Sequence, residues 1–229
     1  MKHLVCGVGE IGSALKSILD CDGHDPRLNM LGTGDYDILH ICFAYTNNFE
    51  QEVETLKKQY NAKYVCVHST VPIGTCKKLG ACHSPVRGKH PNLKKSILTF
   101  EKYVAGKDAE IIAKELEKYG INTKVVEDSN NTEAGKLFDL MQYGIAILLN
   151  KDIWDQCQKL GLDFDVVYTE FNGSYNDGYE ALEEWQFVRP ILEHIEGAIG
   201  GHCIAQNMDK LTSVFAKMII EYQNKWIKS

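Results

Sequence analysis

Near the N-terminus, the run Lys2-His3-Leu4-Val5-Cys6-Gly7-Val8-Gly9-Glu10-Ile11-Gly12 sets three glycines at fixed spacing between an apolar stretch and an amphipathic one. In a strand–turn–helix context the first glycine permits a tight turn, the second lets an anionic ligand approach the backbone, and the third lets helix pack on strand. Amides at the helix N-terminus then face the anion. The expectation is a dinucleotide-binding βα turn with Gly7, Gly9, Glu10, Ile11 and Gly12 as contacts; the alternative is a glycine-rich turn without a ligand.

The chain after this turn keeps alternating short apolar runs with amphipathic ones, the pattern of βα units and a mostly parallel sheet. Strands are predicted at His3–Cys6, 38–43, 64–68, 80–83, 103–105 and 123–126, and helices at 11–19, 48–60 and 109–119. From Asn130, with Glu133 three residues later as a capping box, helical periodicity without proline continues to about Leu160. Helices are also predicted at 181–194 and 208–226, and Asn172 to Tyr179 is read as a polar loop or part of a substrate pocket. The fold class expected is α/β: a Rossmann-type domain over 1–128, then an all-α substrate and dimerisation domain over 129–229 with one long central helix.

Composition narrows the partners. A formal charge of −6 supplies no broad positive field for a phosphate backbone, so nucleic acid is not expected. No segment approaches the roughly 20 apolar residues that span a bilayer, and the N-terminal apolar run is too short for a signal peptide, so a cytoplasmic protein is expected. Eight cysteines contain no Cys-x-x-Cys pair and several sit in apolar strands, which reads as free thiols. His40-Ile41-Cys42, Cys66-Val67-His68 and Cys82-His83 offer zinc-type ligands, but small buried strand residues are the favoured reading and no metal is expected. A homodimer is expected from the length and many-sided apolar surface of the long helix.

An acidic residue about 20 positions after the glycine turn accepts the adenine ribose hydroxyls in such folds. Asp25 has the best spacing among Asp20, Asp22 and Asp25. No arginine precedes it, which favours NAD over NADP, and nearby Arg27 keeps the second open.

Several stretches together resemble the UDP-glucose/GDP-mannose dehydrogenase family, within the 6-phosphogluconate dehydrogenase-like superfamily. They are His68-Ser69-Thr70-Val71-Pro72-Ile73-Gly74-Thr75, Thr132-Glu133-Ala134-Gly135-Lys136 with Asn150, and Arg189 followed by Gly200-Gly201-His202-Cys203-Ile204-Ala205. The resemblance implies an NAD-dependent oxidation of an alcohol in two hydride transfers, with Cys203 as the nucleophile that captures the aldehyde. It implies Lys136 as the group steadying charge on the substrate oxygen, and Thr70 and Ser69 beside the nicotinamide. Arg189, Asn207, Tyr143 and Asn150 become substrate contacts, the last two following Lys136 at seven-residue steps along one helix face.

Three positions depart from that family: Val86 stands where it has a glutamate, Leu140 where it has an asparagine, and Asn207 where it has an aspartate. Members also continue with a further βα domain that grips the nucleotide part of the substrate. With this sequence ending at Ser229, a smaller substrate or a completing partner is expected. Ser84-Pro85-Val86-Arg87-Gly88 also resembles the corresponding segment of β-hydroxyacid dehydrogenases, which implies a single hydride transfer with Lys136 as acid and base and Arg87 on a substrate carboxylate. A protein that only binds or senses NAD is the third reading.

Overall fold

The computed structural model describes residues 1–88, 91–200 and 203–227. It divides into two compact units, Met1–Lys136 and Leu137–Ser229.

The first unit is built on a sheet of seven strands: β1 (His3–Cys6), β2 (Asp22–His24), β3 (Ile38–Ile41), β4 (Tyr64–Val67), β5 (Cys82–His83), β6 (Lys102–Gly106) and β7 (Thr123–Val126). Their spatial order is β2-β1-β3-β4-β5-β6-β7, parallel throughout except where β6 meets β5 antiparallel. Helices α1 (Glu10–Leu19), α2 (Phe49–Gln59), α3 (Thr75–Leu79), α4 (Leu93–Thr99) and α5 (Ala109–Glu117) make the crossovers. The α/β Rossmann-type architecture expected from the alternation is the one observed.

Alternating side chains of each strand enter two cores, because a parallel sheet is buried on both faces. Val5, Ile38, Cys66 and Val104 pack with Leu15 of α1, Ile97 of α4 and Ile112 and Leu116 of α5. Leu4, Cys6, Leu39, Ile41, Val65 and Val67 pack on the opposite side with Phe49 and Val53 of α2 and Cys76 of α3. Strand β2 carries Asp22-Gly23-His24, with no apolar run to announce it, and α3 and α4 are too short for a periodic signal.

The long helix α6 runs Ser129–Leu160. Its start differs in chemistry from the capping box expected of Asn130 and Glu133. Asp128 Oδ1 accepts the Asn130 N–H at 2.9 Å, while Glu133 turns away to bind other backbone.

In the second unit, Leu140 of α6 packs with Ile199, Ile204 and Met208 and with Ala216 and Ile219 of α8 (Val214–Ile227). A smaller cluster joins Cys157, Phe164 and Tyr168. Three predicted elements are corrected here. The segment 172–179, read as a loop or pocket, is helical within α7 (Phe171–Ala181), which follows a π-helical stretch at Asp165–Glu170. Its weak helix formers are held from outside: the Asn176 side chain both donates to Arg189 O and accepts from Arg189 N at 2.9 Å, and the Tyr179 ring packs on Phe187. The helix predicted at 181–194 is reduced to a 3-10 turn at Trp185–Phe187 followed by irregular chain, because Pro190 supplies no amide and disfavours helical backbone at Arg189. The last helix begins at Val214 and not at Met208, since Leu211 is extended and closes a separate 3-10 stretch over Ala205–Lys210.

Among the described residues, no helix is long and apolar enough to cross a membrane.

Candidate functional site

The glycine turn is shaped by contacts that tolerate no side chain at two positions and leave room at the third. Gly7 sits at φ +87°, where a Cβ would lie 2.7 Å from Phe43 N, and a Cβ on Gly12 would lie 1.9 Å from Gly7 O. A Cβ on Gly9 would meet nothing within 4 Å. Gly9 is also the N-cap of α1 and provides no side-chain cap to its first turn. Packing of the described residues therefore sets no demand for a glycine at position 9. An anion at the end of a helix dipole fits that space.

Beside the turn lies a cavity of about 650 Å³ lined by Gly7, His24, Asp25, Arg27, Phe43 and Asn48, among others. That volume suits a small-molecule ligand. Asp25, buried at the end of β2, points into the turn: its Oδ2 accepts the Val8 N–H at 3.0 Å. Arg27 takes its other acceptor sites, with its main-chain N–H 3.1 Å and its Nε 3.3 Å from Oδ1 and its Nη2 3.3 Å from Oδ2. Arg27 and the Val8 amide hold the Asp25 carboxyl below the usual carboxylate range against the opposing effect of burial. The Arg27 side chain is itself 81% exposed. Asp25 is thus where the spacing put it, but its acceptor sites are already in use.

The carboxyl ends of β4 and β5 meet the first turns of α6 in the same unit. Ser69 and Thr70 follow β4; Ser69 is buried and donates its hydroxyl to Phe43 O at 2.5 Å, while Thr70 is half-buried. Buried His83 joins the two elements, with Nε2 3.3 Å from Ser69 O and Nδ1 2.8 Å from Thr132 Oγ1. Burial pushes its pKa down to about 4, and the ammonium groups of Lys102 and Lys136 push the same way, so the ring is neutral near pH 7. The ring thus spans the Ser69 carbonyl and the Thr132 hydroxyl, which also donates to Ser129 O at 3.0 Å. Glu133, fully buried, accepts from Gly74 N at 2.6 Å and Cys76 N at 2.7 Å. These ties fix the start of α6 one turn before half-buried Lys136.

Arg87 has one donor engaged by the protein. Its Nη2 donates to Glu101 O at 2.6 Å and its guanidinium lies over the Tyr103 ring, while the side chain stays exposed with donors left for a carboxylate. A serine-proline segment gives no sign of this, because the partner lies fourteen residues away, just before β6.

In the second unit, Cys203 is exposed, and among the described residues it is the only exposed cysteine. Gly201 and His202 of its predicted loop lie outside the described residues. Asn207, buried, donates to Cys203 O at 2.7 Å and so acts as a brace for the main chain that carries the thiol. Asn150 is likewise committed to the protein: its Nδ2 donates to Leu192 O at 2.8 Å and its Oδ1 faces His194 Nδ1 at 3.2 Å. Beside it, buried Lys151 donates to Ile195 O and Gly197 O. Lys151 had no sequence signal, yet with Asn150 it holds the irregular strip 192–197 on α6. Tyr143 is exposed, and the Arg189 guanidinium lies 4.3 Å from the Tyr175 ring centre.

No protein-family model matches the sequence, and no curated protein matches it. Solved structures do share its fold. A UDP-D-ManNAc dehydrogenase from Pyrococcus horikoshii superposes with a TM-score of 0.75 at 16% identity, over 99% of this chain and 69% of that one. The 3-hydroxyisobutyrate dehydrogenase of Mycobacterium tuberculosis, solved with L-serine, gives 0.71 at 11% identity over 100% and 94%. An NDP-N-acetyl-D-galactosaminuronic acid dehydrogenase from Methanosarcina mazei gives 0.65 at 13% identity over 97% and 66%. The chain has the fold of these dehydrogenases.

Proposed function

We propose that this chain is a nicotinamide-dependent oxidoreductase acting on a CH–OH group of a small molecule, sugar nucleotide or hydroxy acid. The observation that carries the reading is Gly9: a glycine that the packed chain does not require, at an uncapped helix N-terminus, opening beside a cavity of about 650 Å³. Gly7, Gly12 and the first turn of α1, with Glu10 and Ile11, form the pyrophosphate cradle. The likeness in fold to sugar-nucleotide and hydroxyacid dehydrogenases supports the same reading.

Bound in the cradle, the nicotinamide supplies the hydride acceptor. The chain's part is to orient and to steady charge. Thr70 and Ser69, at the carboxyl end of β4, border the nicotinamide position. Lys136 steadies the negative charge that develops on the substrate oxygen, its position fixed by the ties of Thr132 and Glu133 one turn earlier. Cys203 is the nucleophile that captures an aldehyde, which its exposure permits. Arg189 and Tyr143 are the proposed substrate contacts, whereas Asn150 and Asn207 serve as braces. Exposed Phe171, Leu182, Trp185 and Ile195 in the second unit support homodimerisation.

One observation favours a single oxidation instead. Asn207 stands where a water-activating carboxylate would be needed to hydrolyse a thioester, and its amide is spent on Cys203 O. The stoichiometry of turnover decides between the two. A thiohemiacetal path gives two reduced cofactors per substrate and stops in Cys203→Ser. The single step gives one, survives Cys203→Ser and is abolished in Lys136→Ala. Absence of any reduced-dinucleotide binding in a fluorescence titration would overturn both.

A further inference from the structure

The sheet face that packs against α1, α4 and α5 contains a row of buried imidazoles that no step above uses. His3 Nδ1 lies 3.0 Å from His40 Nε2, His40 Nδ1 lies 3.0 Å from His68 Nε2, and His68 Nδ1 lies 2.7 Å from Ser84 O. At the other end His3 Nε2 lies 3.3 Å from Glu115 Oε1. His3, His40 and His68 are all at most 3% exposed.

Counting protons along this row gives a shortfall. There are four links, and both ends, the Ser84 carbonyl and the Glu115 carboxylate, can only accept. Three neutral imidazoles carry one N–H each. The Ser84 carbonyl requires the proton of His68 on Nδ1, so His68 Nε2 presents a lone pair to His40. Running on, His40 donates from Nδ1, His3 donates from Nδ1, and His3 Nε2 is left as a lone pair against a carboxylate. One link lacks its proton.

A metal ion at the His40–His68 link removes the shortfall. His40 then coordinates through Nδ1 and donates from Nε2 to His3, which donates from Nε2 to Glu115. Every imidazole is neutral and every link is made. The donor atoms of His40, Cys66 and His68 lie within 4.8 Å of one another. The three are held by sheet register, His40 opposite Cys66 and Cys66 opposite Cys82 on neighbouring strands. Cys82 Sγ lies 3.9 Å from Cys66 Sγ. Zinc bonds of about 2.0–2.1 Å to nitrogen and about 2.3 Å to sulfur imply tetrahedral edges of about 3.4 Å between nitrogens and about 3.8 Å between sulfurs. The nitrogen pair needs to open by a few tenths of an ångström, and Cys82 needs to turn inward to complete the set. The bond from His68 Nδ1–H to Ser84 O is the outer-shell contact that fixes a ligating imidazole's tautomer.

We propose that His40, Cys66, His68 and Cys82 form a structural site for a tetrahedral divalent transition metal of the zinc class, inside the sheet and separate from the dinucleotide cavity. Charge favours this over an extra proton on the row. Two thiolates neutralise the dication, whereas a fourth N–H would leave a buried imidazolium leaning on Glu115, a carboxylate that Lys118 and the N-terminal ammonium already engage. Buried Lys102, donating to Ser84 O at 2.8 Å and Pro85 O at 3.1 Å, places its ammonium beside the cysteine side and is compatible with thiolates there.

All four ligands are buried, so the ion enters as the chain folds. The test is to unfold the full chain in denaturant with chelator and reductant, and to refold it with Co²⁺ alone. One Co²⁺ per chain is expected, with the strong visible bands of a tetrahedral site, a thiolate-to-cobalt charge-transfer band, and displacement by Zn²⁺. Cys66→Ser is expected to lose that band, while Cys157→Ser, altered at a buried cysteine of the second unit, keeps it. Metal analysis of native protein from zinc-supplemented cells needs no refolding, and about one zinc per chain is expected there. Wild-type protein without bound metal in both preparations overturns the proposal, as does histidine nitrogen NMR showing a fourth N–H on the row after metal treatment.

Discussion

The Glu133 carboxylate accepts the main-chain N–H of Gly74 at 2.6 Å, and with its other oxygen it reaches the N–H of Cys76. A residue fully buried on α6 thereby supplies the acceptor that the short helix α3 lacks at its own N-terminus, where Gly74 offers no side-chain cap. Glu133→Ala leaves one buried and one half-buried donor unpaired, and the expected loss is about 1–4 kcal/mol of unfolding free energy, since a buried orphan costs about 1–3 kcal/mol. Glu133→Gln retains one acceptor and falls between. Equilibrium denaturation of the three proteins checks the order.

Gly9 and Gly12 separate folding from binding. Gly12→Ala puts a methyl 1.9 Å from Gly7 O and is expected to unfold or severely destabilise the first unit. Gly9→Val has room in the packed chain and is expected to keep its thermal midpoint while losing affinity for NADH by about tenfold or more, roughly 1.4 kcal/mol. A Gly9→Val protein that binds NADH normally would remove the main support for the cradle.

Arg27 is expected to bear on the choice between NAD and NADP. Paired with Asp25, it neutralises the acidic acceptor that selects an unsubstituted ribose and presents a cation toward the same cavity. Wild type is expected to prefer NADPH, and Arg27→Ala to shift the ratio of NADPH to NADH affinities by about tenfold toward NADH, the effect of roughly 1.4 kcal/mol. Competitive titration of both dinucleotides measures it, and an unchanged ratio contradicts it.

Glu115 makes the fold acid-sensitive. Burial opposes its charge, but Lys118, the N-terminal ammonium and His3 outweigh burial and bring its pKa to about 2. A carboxyl depressed in the folded state contributes stability that is complete above its ordinary value near 4.5 and is lost as pH falls toward 2. The unfolding free energy of wild type should therefore decline over that interval more steeply than that of Glu115→Gln. Parallel slopes for the two proteins between pH 5 and pH 2 would show that the carboxylate contributes nothing.

Legibility followed the range over which each feature is determined. The glycine turn, six of the seven strands and the long helix α6 were read from residues a few positions apart, because steric rules at glycine and the 2- and 3.6-residue periods are local. Strand β2 was not, since Asp22-Gly23-His24 becomes a strand only by lying beside β1. The segment 172–179, read as a polar loop or part of a pocket, is helical in α7, where Asn176 pairs with Arg189 more than ten residues on.

Site residues divide in the same way. The sequence by itself determined that a glycine turn precedes a helix, that a lysine follows one turn after Thr132-Glu133, and that Cys203 lies among glycines. Only the tertiary structure decided which polar groups are already spent. Asn150 is occupied by Leu192 O, Asn207 by Cys203 O and the Asp25 carboxylate by Val8 and Arg27, while Arg87 has one of its donors on Glu101 O. Likewise His3, His40, His68 and Cys66, scattered over more than sixty positions, become neighbours only through sheet register. The physical reason is that a hydrogen bond or a ligand set is satisfied by whichever group is close in space. Sequence fixes the donors and acceptors each residue carries, and packing decides which of them remain for a ligand.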